Sequence, residues 1–253
     1  MLVSITGEWA RPAVRLHPAR GAPRVTDSHI GGPLLWPADE PWPWCDGSKH
    51  DEGLTILPAD SFGVRVALIG AVQLFQRDFP ELPFPPGTDL LQVLLCPLEH
   101  SDEETDHFGP CVRLFWRSSS VADVLDVVPD PVVFEPQYRT RPCVLHPCRI
   151  TEYPMGDEQP VGAGDWPPVA NGSKVGGWAF WWQTSPFGLE CPSCGADRRL
   201  LLALYTHEEP EKELCSCEVA ERAVVGWEFG REGALNVFAC TRDVQHPIKL
   251  HID

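Results

Sequence analysis

SHIGGPLLW at residues 28–36 and SKVGGWAFW at residues 173–181 share a serine, a β-branched residue, a Gly-Gly pair and a tryptophan in identical spacing, 145 residues apart. Further on, LQVLLCP at residues 91–97 is echoed by LNVFACT at residues 235–241, an offset of 144 that sets Cys96 opposite Cys240. Two separated blocks repeating at nearly one offset read as an internal duplication. In each block the glycines, Gly31 and Gly32 or Gly176 and Gly177, permit positive φ or close backbone approach. The tryptophan beyond them, Trp36 or Trp181, supplies a large apolar anchor. A tight turn feeding a packed strand is the expected form.

Outward from these blocks, VRVALIGAVQLF, DLLQVLLCP, CVRLFW, RRLLLALYTH and ALNVFACT are short β-branched or aromatic runs bounded by Gly, Pro and Asp, the pattern of strands. The 27 prolines exclude helix interiors from PADEPWPWC, FPELPFPPG and DWPPVANG. One helix is expected at SSSVADVLDVV, capped by Ser120 with Val121, Leu125 and Val128 on one face, and a second near LFQRDFPEL. The fold class is therefore β-rich α+β, internally duplicated, with two pseudo-symmetric β-sheet units sharing one compact body. The first unit spans residues 1–150, with its strand at 90–96, and the second spans 151–253, with its strand at 234–240.

The chain has 253 residues, 43% of them apolar, and a formal net charge of −16 from 36 acidic and 20 basic residues. That charge repels phosphate backbones and excludes nucleic acid as a ligand, whereas a basic protein would be attracted. Glu8, Arg11 and Arg15 interrupt the first apolar run, and no later segment reaches membrane-spanning length, so no membrane role and a cytoplasmic location are expected.

Ten cysteines without a secretory signal favour reduced thiols and metal ligation over disulfides. The sharpest motif is CPSCG at residues 191–195. Its two thiols, Cys191 and Cys194, sit three apart, and Gly195 tolerates the left-handed turn of a zinc knuckle. Two further ligands must come from elsewhere: Cys240 first, then Asp243 or His246 from CTRDVQHP, with Cys215 and Cys217 of LCSCE as competing donors. Four protein ligands would leave no open position, which makes the zinc structural. A thioredoxin-like reading needs a helix starting at the first thiol, whereas ADRRLLLALYTH reads as strand. Glu99, His100, Asp106 and His107 read as a solvated loop, and Cys143 and Cys148 beside His146 as structural residues. No metalloprotease, phosphate-loop or serine-hydrolase template is present.

The repeated Gly-Gly/Trp block followed by the Leu-Gln-Val strand resembles the YwqG-like domain family of bacterial proteins. The order SKVGGWAFWWQ, CPSCG, Leu-rich strand and LNVFAC is similar to that of the programmed cell death 2 family. The resemblance extends from about residue 28 to 240. It implies a duplicated β-rich α+β fold with no established enzymatic activity, an immunity-like role beside secreted toxins in some members, and chaperoning of a ribosomal protein in the eukaryotic relatives. It also implies that Cys191, Cys194 and Cys240 are metal ligands. Where cysteine-bearing members carry a further cysteine three beyond the last, this chain has Asp243, and the fourth ligand stays open.

The expected function is a non-catalytic, cytoplasmic protein-binding module, chaperone-like or immunity-like towards a specific basic polypeptide. Gly31, Gly32, Trp36, Gly176, Gly177 and Trp181 would form the partner-binding surfaces. The alternative is a hydrolase or transferase with its site in the cleft between the repeats.

Overall fold

The computed structural model describes residues 7–50, 64–102, 107–219 and 221–253. Fourteen strands form three antiparallel sheets among them. The first large sheet has the order β2 (Pro18–Arg20), β9 (Cys143–Leu145), β3 (His29–Ile30), β6 (Ile69–Phe75), β7 (Leu90–Asp102), β8 (His107–Arg117). The second has the order β10 (Cys148–Glu152), β1 (Arg11–Arg15), β11 (Lys174–Gly176), β12 (Arg198–Tyr205), β13 (Ala234–Cys240), β14 (Lys249–Ile252). A small hairpin pairs β4 (Trp44–Cys45) with β5 (Val66–Ala67).

One bent antiparallel ribbon runs through both large sheets. β1 pairs with β10 in the second sheet, from Arg11 opposite Glu152 to Arg15 opposite Cys148. The same two chain segments continue as β2 and β9 in the first sheet, where Pro18 lies opposite Leu145 and Arg20 opposite Cys143. The second sheet therefore takes strands from both sides of residue 150, whereas every strand of the first precedes it. The bend falls at Leu16 and His17 against His146, whose N–H donates to the Leu16 carbonyl at 3.0 Å. His17 carries a φ of 40°, a left-handed conformation that disfavours side chains with a Cβ and that persists only where the surroundings impose it.

Alternation along the central strands explains the core. Leu91, Val93 and Leu95 of β7 and Leu235 and Val237 of β13 enter one cluster common to both sheets, together with Trp227 and Phe229. The opposite face of β7 places Leu94 and Cys96 under Trp36, and that of β13 places Phe238 under Trp181. These strands are covered on both faces, which is why they read as continuous apolar runs rather than as alternating ones.

The Gly-Gly blocks sit where the ribbon backbone comes close. Gly31 has a φ of +66°, and a Cβ there would meet the Arg141 carbonyl oxygen at 2.8 Å; Gly176 has a φ of +67° and would meet that of Pro12 at 2.9 Å. Both glycines answer to packing against the ribbon.

No α-helix occurs among the described residues, only two single-turn 3-10 helices, Pro136–Tyr138 and Gly156–Glu158. The α component expected from the sequence is thus absent there. The segment at 118–128 is irregular: Leu125 N–H donates to the Trp36 carbonyl at 2.8 Å, and Pro37 bridges Val124. So short a segment ending at Pro129 makes a marginal helix, and pairing with the neighbouring loop gives its backbone better partners. Near Phe79 the chain makes successive turns from Phe75 to Leu82 and is stopped by Pro80.

Candidate metal centres

Three groups of four Cys and His side chains come together, and in each the four donor atoms lie within 4.8 Å of one another. Eight of the ten cysteines belong to them, and none of the cysteines is disulfide-bonded.

The first group contains the CPSCG motif. Cys191 N–H donates to the Ala196 carbonyl and Gly195 N–H to the Cys191 carbonyl, both at 2.8 Å. This turn requires the left-handed φ of +67° at Gly195, and it holds Cys191 and Cys194 on one side ahead of β12. Cys240 ends β13 and His246 follows on the next loop. Cys194 Sγ lies 3.5 Å from Cys240 Sγ, and His246 Nδ1 lies 3.6 Å from Cys191 Sγ. Burial works to raise the Cys240 thiol, but the backbone N–H groups of Asp243 and Arg242 and the His246 ring together bring it down to about 6. Of the two fourth-ligand candidates, His246 stands in the group. Asp243 stands outside it, its carboxylate 3.9 Å from His246 Nε2.

The second group lies between β7 of the first sheet and the small hairpin. Cys45 comes from β4, Cys96 and His100 from β7, and His50 from the loop after β4. Cys45 Sγ is 3.4 Å from His50 Nε2 and 3.5 Å from His100 Nε2, and His50 Nε2 is 3.3 Å from Cys96 Sγ. The β7–β8 pairing slips between Leu95 and Glu99, a bulge that falls between the two β7 donors. Cys45 is held far below the ordinary thiol range, first by the Cys96 thiol and then, against the cost of burial, by His100 and His50. Cys96 keeps its proton for the matching reason.

The third group gathers at the bend of the ribbon: His17, Cys148 at the start of β10, and Cys215 and Cys217 from the loop after β12. His17 Nε2 lies 3.1 Å from Cys215 Sγ, and Cys217 N–H donates to that sulfur at 3.3 Å. Burial and the adjacent Arg15 and His146 hold the His17 pKa down at about 4, leaving a neutral ring. Burial, with Cys215 and Cys217 beside it, pushes Cys148 up to about 12.

Tetrahedral zinc with bonds of about 2.3 Å to sulfur and 2.0 Å to nitrogen separates its ligands by about 3.5–3.8 Å. The nearest sulfur–nitrogen and sulfur–sulfur pairs, at 3.1–3.6 Å with all donors of each group inside 4.8 Å, are close to that, and far longer than a disulfide of about 2.05 Å. Thiolates and imidazoles are the donor set of zinc. These residues fit a tetrahedral ion.

Cys215 and Cys217, the competing donors to the CPSCG site, instead have their own group. His100, read from the sequence as part of a solvated loop, is buried beside Cys45, because β7 continues to Asp102 and carries it inward. Asp106 lies outside the described residues. Glu99 accepts a hydrogen bond from the Tyr138 hydroxyl. Cys148 joins the third group without His146, and Cys143 is buried with its thiol towards the Arg141 carbonyl.

His107 is buried rather than solvated, its Nε2 3.2 Å from the Pro110 carbonyl. Burial lowers its pKa from 6.5 to about 4. The unfolded chain therefore binds a proton that the folded chain does not. Stability present above pH 6.5 is lost as pH falls towards 4, by about 3 kcal/mol. His107→Gln should remove that share of the acid sensitivity in urea midpoints taken at pH 7 and pH 5. Equal losses in the two proteins would refute it.

The tryptophans of the Gly-Gly blocks are not exposed partner anchors. Trp36 is fully buried and Trp181 is 9% exposed, with its indole N–H donating to Glu158 at 2.8 Å. Each covers the outer face of its own sheet, where the strand's second apolar face needs a lid. Trp182, one residue on, is the exposed ring at 74%.

Cys45, His50, Cys96 and His100 precede Cys191, Cys194, Cys240 and His246 by 146, 144, 144 and 146 residues. That spacing is the signal from which the second group could have been found. Of the third, local sequence marks only the Cys215–Cys217 pair of LCSCE; His17 and Cys148 lie 198 and 67 residues before Cys215.

Comparison with known proteins gives no matching family model and no matching curated protein.

Proposed function

We propose that this chain is a non-catalytic binding module for a basic polypeptide, built from two copies of one β unit and held by structural zinc at Cys191, Cys194, Cys240 and His246. The observation that carries the reading is the four-donor group itself: with four protein ligands no position remains for water or substrate, so the ion holds the fold and does not react. Duplication is supported by the matching offsets and by the equivalent places of the Gly-Gly strands β3 and β11, each third in its sheet. The net charge of −16 favours a basic partner. Free thiols suit a reducing compartment such as the cytoplasm, and no helix among the described residues is long and apolar enough to cross a membrane. A chaperone-like or immunity-like role is the form such binding would take.

For the enzyme alternative, the thiols of the clefts already belong to metal groups: Cys240 in one, and Cys217 in another, where His17 of the same group stands beside His146 and Glu208. A cavity of about 300 Å³ between the second sheet and the turn at 81–83 is lined by Leu82, Val175, Leu201 and Val244 with Glu81 and Arg199, and its thiol, Cys240, already belongs to the metal group. A groove beside Ser28 pairs that hydroxyl with the Asp78 carboxylate at 2.6 Å and brings no histidine to it.

Two measurements test the reading. Cys191→Ser should lower the zinc content of the purified chain by one equivalent and destabilise the second sheet. Affinity capture of the tagged chain at low and moderate salt should bring down one stoichiometric basic protein whose yield falls with salt. An empty capture would turn the search towards a small ligand and a reaction.

A further inference from the structure

We infer that the chain binds two further zinc ions, one at Cys45, His50, Cys96 and His100 and one at His17, Cys148, Cys215 and Cys217. The first follows from geometry and from position. Three of its sulfur–nitrogen separations are 3.3–3.5 Å, the edges of a tetrahedron around zinc. One donor stands at the same place as in the CPSCG group, Cys96 and Cys240 being on the fifth strand of their sheets, and a histidine follows each, His100 four and His246 six residues beyond. In chain order only the second donor differs in type, His50 standing where the other group has Cys194. The donor set is thus two sulfurs and two nitrogens in one group and three sulfurs and one nitrogen in the other.

The second new site has a different architecture and a different task. His17 is held at positive φ in the bend of the ribbon, and Cys148 begins β10 one position from that bend. The loop carrying Cys215 and Cys217 has no strand to fix it, and its Cys215 sulfur is directed at the His17 ring. An ion here ties that loop to the point where the ribbon passes from one large sheet to the other. Binding at either site displaces the thiol protons and changes no oxidation state.

The inference uses the same metal chemistry as the CPSCG reading, and stoichiometry separates the two. Elemental analysis of the purified full chain should give three zinc per chain. Cys45→Ser/Cys96→Ser and Cys148→Ser/Cys215→Ser should each leave two. Should those variants fail to fold, cobalt titration of the metal-free wild-type chain decides without them: thiolate-to-cobalt absorption should rise to saturation at three equivalents. One equivalent that is lost in Cys191→Ser would overturn this inference and leave the CPSCG site standing. No bound metal would overturn both, and two equivalents would overturn one of the added sites, identified by which double variant leaves the count unchanged.

Discussion

Replacing Glu152 with leucine should destabilise the fold by about 3–5 kcal/mol, and replacing Lys174 with methionine by somewhat less. Both side chains are fully buried, and the Lys174 ammonium donates to the two carboxylate oxygens of Glu152 at 2.7 and 2.9 Å. The same carboxylate accepts the backbone N–H of Ala170 at 2.9 Å and of Trp178 at 2.8 Å. Glu152→Leu therefore orphans an ammonium and two amides in the interior. Lys174→Met leaves a carboxylate still holding two amide donors, which is why its cost should be smaller. The pair joins β10 at the end of the ribbon to β11 and to the Gly-Gly block, and Gly177 is glycine partly because a Cβ would strike Glu152. Urea midpoints of the two single variants and the double variant give the coupling directly. Single-variant losses below about 1 kcal/mol would mean that water or a rearranged chain replaces these bonds.

Removing metal is expected to unfold the chain outright. Structural zinc in small sites contributes on the order of 10–16 kcal/mol each, against a typical total stability of about 5–15 kcal/mol for a folded domain. Loss of the ion at Cys191 also removes the tie between the knuckle ahead of β12 and the end of β13. Chelation in mild denaturant should abolish the near-ultraviolet dichroism of the buried tryptophans, including Trp36 and Trp227, and zinc should restore it. A metal-free chain that still unfolds cooperatively at an unchanged midpoint would remove the structural role from these ligands.

The two expected helices failed for different reasons, Pro80 stopping the one near Phe79 and a tertiary contact replacing the other. Val121, Leu125 and Val128 have helical spacing, but periodicity cannot register that the 36–38 loop lies alongside and satisfies the backbone there. His100 and His107 were misread for a related reason: the acidic residues around them suggest solvent, while β7 and β8 carry both rings inward. Trp36 and Trp181 stand in equivalent positions of the two Gly-Gly blocks, and both are buried. Their burial depends on a second apolar face of β7 and β13 that needs covering, which is a property of the sheet.

The sequence by itself determined the β-rich character, the paired Gly-Gly/Trp blocks and the turn that sets Cys191 beside Cys194, because strand alternation, glycine freedom and Cys-x-x-Cys spacing are local properties. Tertiary structure alone decided that one ribbon threads both sheets, that His246 rather than Asp243 stands with the thiols, and that His17 meets Cys215. Those are contacts between residues far apart in the chain, fixed by sheet register and by the bend at His17, and no local pattern of residue types encodes such a distance.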